Sequence, residues 1–102
     1  MLLKGYRITE ILPCIVNPEW IRMKTELSDD VGEVLPYLNA QLKHATYNAK
    51  MQSLTFRFKE GQMLVTIFPQ AINLAQVPTK EEGERALNEL RGLINGTWER
   101  RE

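Results

Sequence analysis

Cys14 is the one thiol among 102 residues and His44 the one imidazole, so redox or metal chemistry in this chain has to start from these two. An iron–sulfur cluster normally takes four thiolates, and a structural zinc site takes four ligands. A single copy supplies too few, and the sequence implies neither metal nor cofactor. Cys14 lies in the irregular run Pro13-Cys14-Ile15-Val16-Asn17-Pro18. It reads first as a small buried hydrophobe, and second as a redox or ligand residue shared across a dimer or with a partner. His44 falls between a helical and a strand-like segment, where the helix dipole favours it at the C-terminus. Glu26, Asp29, Asp30 and Glu33 lack the Asp-x-Asp-x-Asp-Gly order of a calcium loop, and helix capping accounts for them. Arg22, Lys24, Arg57 and Lys59 alternate with apolar residues and so belong to a solvated sheet face, interrupted by Glu26 and Glu60. No paired acid and base, nucleophile with base, or phosphate-cradling glycine loop is visible, so no enzyme is expected.

Composition narrows the rest. Thirteen basic residues balance thirteen acidic ones, which leaves no global field to draw in nucleic acid or an anionic membrane. A chain of 102 residues holds one core, and residues 1–102 are expected to form a single domain. No run approaches the ~20 apolar residues of a membrane span. Lys4, Arg7 and Glu10 interrupt the stretch where a signal peptide would be apolar, and a lone cysteine suits a reducing compartment, so a cytoplasmic location is expected.

The elements that must position these residues follow from periodicity. Residues 6–12 have strand character, and Pro13 and Pro18 bracket the connection after them. Ile21, Met23, Thr25 and Leu27 alternate with Arg22, Lys24 and Glu26, the pattern of a half-buried strand. Ser28, Asp29 and Asp30 offer N-cap oxygens, with Glu33 three residues beyond Asp30, ahead of a helical stripe through Val31, Val34, Leu35, Leu38 and Leu42. Pro36 must lie near the first turn of that helix. Four strands come next: 45–49, 54–60, 62–69 and 72–77, with Glu60-Gly61 as a hairpin turn. Thr79 opens the last helix with Glu82 at N3. Ala86, Leu87, Leu90, Leu93 and Ile94 form its stripe, Glu81 pairs with Arg85, and Gly96 is the expected stop. The fold class is α+β, ordered β-α-β-β-β-β-α after an extra N-terminal strand-like segment, with both helices on one face of an antiparallel sheet. Ile21, Met23, Leu54, Phe56, Phe58 and Leu90 are predicted to point inward.

Two resemblances are carried by particular residues. Tyr47-Asn48, Phe56-Arg57-Phe58-Lys59-Glu60 with its turn, Ile67-Phe68 and the helix after Thr79 resemble one half of a TATA-box-binding protein. That likeness implies a concave sheet whose apolar side chains wedge into a DNA minor groove. Phe68 falls at one wedge position and Met51 at the other. Only one half of the saddle is present, and the net charge is zero. The runs Glu10-Ile11-Leu12-Pro13-Cys14, Asn17-Pro18-Glu19 with Ile21-Arg22, Leu35-Pro36-Tyr37-Leu38-Asn39, and Ile94-Asn95 with Thr97-Trp98-Glu99-Arg100-Arg101 resemble a second family. It is a small prokaryotic domain that often precedes a four-cysteine iron–sulfur segment. The resemblance implies an accessory module beside redox machinery. The cysteine cluster is not in this sequence, so no residue here inherits cluster binding.

The two helices can cover one side of the sheet, which leaves the other solvated, paired or used. The expected function is therefore a non-catalytic interaction domain whose open face serves self-association, as a homodimer, or docking to an iron–sulfur or redox protein. The alternative is a nucleic-acid-binding module that rebuilds a saddle as a dimer. Cys14, Met51, Arg57, Phe68 and Trp98 are the interface candidates. Trp20 and Trp98 are expected to anchor the irregular segment and the helix tail by packing.

Overall fold

The computed structural model describes residues 2–101. Six strands form one antiparallel sheet: β1 (Tyr6–Pro13), β2 (Ile21–Leu27), β3 (Thr46–Asn48), β4 (Ser53–Phe58), β5 (Met63–Phe68) and β6 (Ala71–Val77). Their spatial order is β1-β2-β6-β5-β4-β3. The N-terminal strand-like segment thus joins the sheet as an edge. Two α-helices, α1 (Leu35–Gln41) and α2 (Lys80–Arg101), complete the α+β fold, and both contribute to one apolar core. No helix among the described residues is long and apolar enough to cross a membrane.

Alternation decides which side of each strand meets that core. Met23, Leu54, Phe56, Val65, Ile67, Ile72 and Leu74 are buried together with Leu87 and Leu90 of α2. Of the six residues predicted to point inward, Met23, Leu54, Phe56 and Leu90 are buried. Ile21 and Phe58 are half-buried and packed against the same core. Both sit at strand ends, where the helices give less cover. Two bulges shift the phase. In β6, Met23 pairs with Leu74 but Ile21 with Val77, so one extra residue is taken up near Gln76, whose φ is 58°. The inward set is therefore Ile72, Leu74 and Val77. In β1, Ile8 pairs with Thr25 but Glu10 with Lys24, which leaves Thr9 as the extra residue.

Helix boundaries depart from expectation in three places. Ser28 and Asp29 do not cap α1. The Ser28 hydroxyl accepts from Gly5 N–H (3.0 Å) and Asp29 from Lys4 N–H (3.0 Å), fastening the N-terminal segment to the sheet. Asp30 accepts from Gly32 N–H at 2.8 Å, and a short 3₁₀ turn, Gly32–Val34, leads into α1 with Pro36 in its first turn. His44 lies beyond α1 in an exposed turn with φ 59°, not at the helix C-terminus. Gly96 does not stop α2. The helix continues because Thr97 is buried with its hydroxyl on Leu93 C=O (2.8 Å), while Arg100 reaches Gln41 (2.7 Å) and Arg101 reaches Glu33 (3.2 Å). These contacts offset the roughly 1 kcal/mol that a mid-helix glycine costs.

The start of α2 is as expected: Glu82 N–H donates to Thr79 Oγ1 at 3.2 Å. The i,i+4 ion pair of its first turn is Lys80–Glu84 (3.7 Å), in place of Glu81–Arg85. Asn95 near its end is buried and binds the backbone of Leu3 twice. Leu3 N–H donates to Oδ1 (2.7 Å), and Nδ2 donates to Leu3 C=O (2.9 Å).

Candidate interaction surface

The side of the sheet away from the helices is a candidate site because nothing within the described chain covers it. Strand pairing arranges its side chains in rows. One row runs Arg57, Leu64, Ala75; the next runs Thr55, Thr66, Asn73, Lys24, Glu10; a third runs Phe68, Ala71, Glu26, Arg7. The two central strands, β5 and β6, thus present only uncharged side chains to this face: Leu64, Thr66, Phe68, Ala71, Asn73 and Ala75. The three on β6 are small, and Asn73 and Ala75 floor a depression of about 140 Å³, walled by Arg22 and Lys24 on one side and Leu64 and Thr66 on the other.

Charge is confined to the flanks and is mostly neutralised there. Arg7 pairs with Glu26 at 3.1 Å and Lys24 with Glu10 at 3.4 Å. Arg22 and Arg57 are held differently. Arg22 donates to the Pro13 carbonyl (3.2 Å) and Arg57 to the Gln76 amide oxygen (2.5 Å). Those acceptors fix both guanidinium groups near the depression without cancelling their charge. Lys59, expected on this face, is instead in the turn after β4 and reaches Glu89 of α2.

The structure separates the five interface candidates. Arg57 and Phe68 are on the open face, Phe68 half-buried beside Ala71. Met51 is in the turn between β3 and β4 with 61% of its surface exposed, at the end of the sheet where Phe68 lies. Trp98 is on α2, packed against the core with the Arg101 guanidinium 4.0 Å from its ring centre. Cys14 is at the opposite end of the sheet from Phe68, in the connection from β1 to β2, and is 8% exposed. Backbone N–H groups of Asn17 and Val16 favour its thiolate and hold its pKa below the ordinary thiol value of 9.0, against an opposing effect of burial. Among the described residues no three His, Cys, Asp or Glu side chains gather as a metal site would require.

Sequence reasoning missed two exposed features. Ile15 and Val16, at the tip of the β1–β2 connection, are 82% and 87% exposed. A cleft of about 600 Å³ lies beside β1 on the helix side, lined by Tyr6, Ile8, Thr9, Glu10, Ile11, Lys80 and Glu84. The alternation of β1 is broken by its bulge, so the sequence carried no clear signal for the cleft, and Ile15 and Val16 lie in an irregular connection where no periodicity assigns a face. No protein-family model, curated protein or solved structure matches the chain.

Proposed function

We propose that this chain is a non-catalytic interaction module whose open sheet face docks a partner protein. The observation that carries the reading is the distribution of charge on that face. The centre over β5 and β6 is uncharged and built of small or apolar side chains, whereas Arg22, Lys24, Glu26 and Arg57 stand at its rim. Protein interfaces share this plan: charge is depleted at the core and placed at the edge. Arg22 and Arg57 have no carboxylate among their hydrogen-bond partners in the described chain, so the complementary surface is uncharged in the middle and acidic at two points. That the partner is an iron–sulfur or redox protein is supported by the sequence resemblance alone.

A benzophenone photo-crosslinking side chain at Asn73, in the centre of the face, tests this in the cells that make the protein, with Glu81 on α2 as control. The expected result is a discrete protein adduct from position 73, none from 81, and loss of that adduct on Arg57→Glu. Equal adducts from both positions, or none from 73, would overturn the proposal.

Phe68 favours a second reading. It projects from the open face where the TATA-box-binding-protein resemblance places a wedge. A nucleic-acid adduct from position 73 would promote that reading over the first.

A further inference from the structure

The sheet has two edges, and they differ. β3 is three residues long, whereas β1 offers eight, Tyr6–Pro13, with an outer side that no described strand pairs. A long unpaired edge is a template for another strand unless something blunts it. The bulge at Thr9 looks like such a device, but it also does something more specific. Against the rungs of β2, Tyr6 stands at Leu27, Arg7 at Glu26, Ile8 at Thr25, Glu10 at Lys24 and Ile11 at Met23. The extra residue lets β1 read symmetrically about Ile8. One rung to either side are Arg7 and Glu10, both on the open face; two rungs to either side are Tyr6 and Ile11, both on the helix face.

From this symmetry, the geometry points to a second copy of the chain as the occupant of the β1 edge, paired antiparallel about a two-fold axis at Ile8. The axis sets Arg7 of each copy opposite Glu10 of the other, so one ion pair is made twice. Each member already has a neighbour within its own chain, Glu26 for Arg7 and Lys24 for Glu10. The row crossing the junction therefore reads Lys24, Glu10, then Arg7, Glu26 of the second copy, with signs alternating at every strand. Opposite charges directly across a strand pair stabilise it and like charges do the reverse, so this register is selected over its neighbours.

The other face agrees. Tyr6 of one copy meets Ile11 of the other, and the two Ile8 side chains meet near the axis. Ile11 is 41% exposed although it is on the core side of the sheet, at the mouth of the 600 Å³ cleft. The second copy covers it. Pro13, which lacks a donor, falls outside the paired rungs and does not interrupt them. The result is one twelve-stranded sheet whose two open faces are continuous, with the docking face doubled. The β1 edge is a different surface from that face, and its pairing stands whether or not the face binds a partner.

Charge reversal with complementation tests it. Wild type should sediment at twice 11.8 kDa. Arg7→Glu alone sets carboxylate against carboxylate on both sides of the axis, and Glu10→Arg alone sets guanidinium against guanidinium. Each should weaken self-association by at least ~10-fold. Mixed together, the two variants restore opposite charges across the junction and should form a one-to-one heterodimer. That rescue also shows that both variants are folded. A wild type that stays at 11.8 kDa up to roughly 1 mM, or a dimer indifferent to both reversals, would overturn the proposal.

Discussion

Thr79 and Asn95 do the same chemistry, a side-chain oxygen accepting from a backbone N–H, yet only one is legible in the sequence. The partner of Thr79 is three residues away, so a capping pattern announces it. The partner of Asn95 is 92 positions away, at Leu3, and no local pattern encodes that contact. The consequences differ too. Thr79→Ala removes a solvent-accessible cap and should cost about 1 kcal/mol. Asn95→Ala leaves both backbone groups of buried Leu3 without their partner, at about 1–3 kcal/mol for each group, so its loss should be the larger. Denaturant melts of the two variants check the order; equal losses would mean that Asn95 does not hold the N-terminal segment. Asp29 fastens that segment as well. The Ser28 hydroxyl and Lys4 N–H hold its carboxyl below the ordinary 3.8. A depressed carboxyl contributes stability above its unfolded pKa and loses it as pH falls through the folded one. Acid unfolding below about pH 4 should therefore be less steep in Asp29→Asn, measured by thermal melts across that range.

At the level of elements, their order along the chain was legible because the two-residue period is clean in β2, β4 and β5 and the 3.6-residue period is clean in α2. The bulges were not. They show only as broken alternation in β1 and β6, and in a bare sequence that looks the same as a weak strand. The end of α2 is hidden from the sequence for a related reason: Gly96 is a stop signal locally, but contacts with Gln41 and Glu33 override it. Gly83 makes the same point. In an exposed helix, Gly→Ala stabilises by about 1 kcal/mol. Here α2 crosses the sheet closely, and a Cβ on Gly83 would overlap the Met23 sulfur and lie 3.1 Å from a Val77 methyl. Gly83→Ala should instead destabilise by about 1–3 kcal/mol, with Gly92→Ala, which meets nothing, as the stabilising control. A melting temperature that rises in both variants would place α2 farther from the sheet than described.

For the whole molecule, the sequence showed that one sheet face would lack cover but not what that face would look like. Row membership depends on strand order, and the neutral centre arises because β5 and β6, not the charged β2, lie in the middle. That arrangement bears directly on the nucleic-acid reading. Duplex affinity comes largely from phosphate neutralisation, and its salt slope counts the cations engaged. Of the four cations on the open face, Arg7 and Lys24 already face Glu26 and Glu10, which leaves Arg22 and Arg57. Two phosphates engaged per copy, four in a dimeric saddle, correspond to a log–log slope of about −4 at most, short of the roughly −5 to −9 of a protein making 6–10 contacts. Duplex binding should therefore be weak at about 50 mM salt and undetectable by about 150 mM. Fluorescence anisotropy with a labelled duplex at three salt concentrations measures the slope. Phe68→Ala, which removes the wedge candidate but no charge, should leave it unchanged. A slope steeper than about −5 that collapses in Phe68→Ala would mean that the face wraps DNA, and that the flanking ion pairs open to release Arg7 and Lys24 for phosphate.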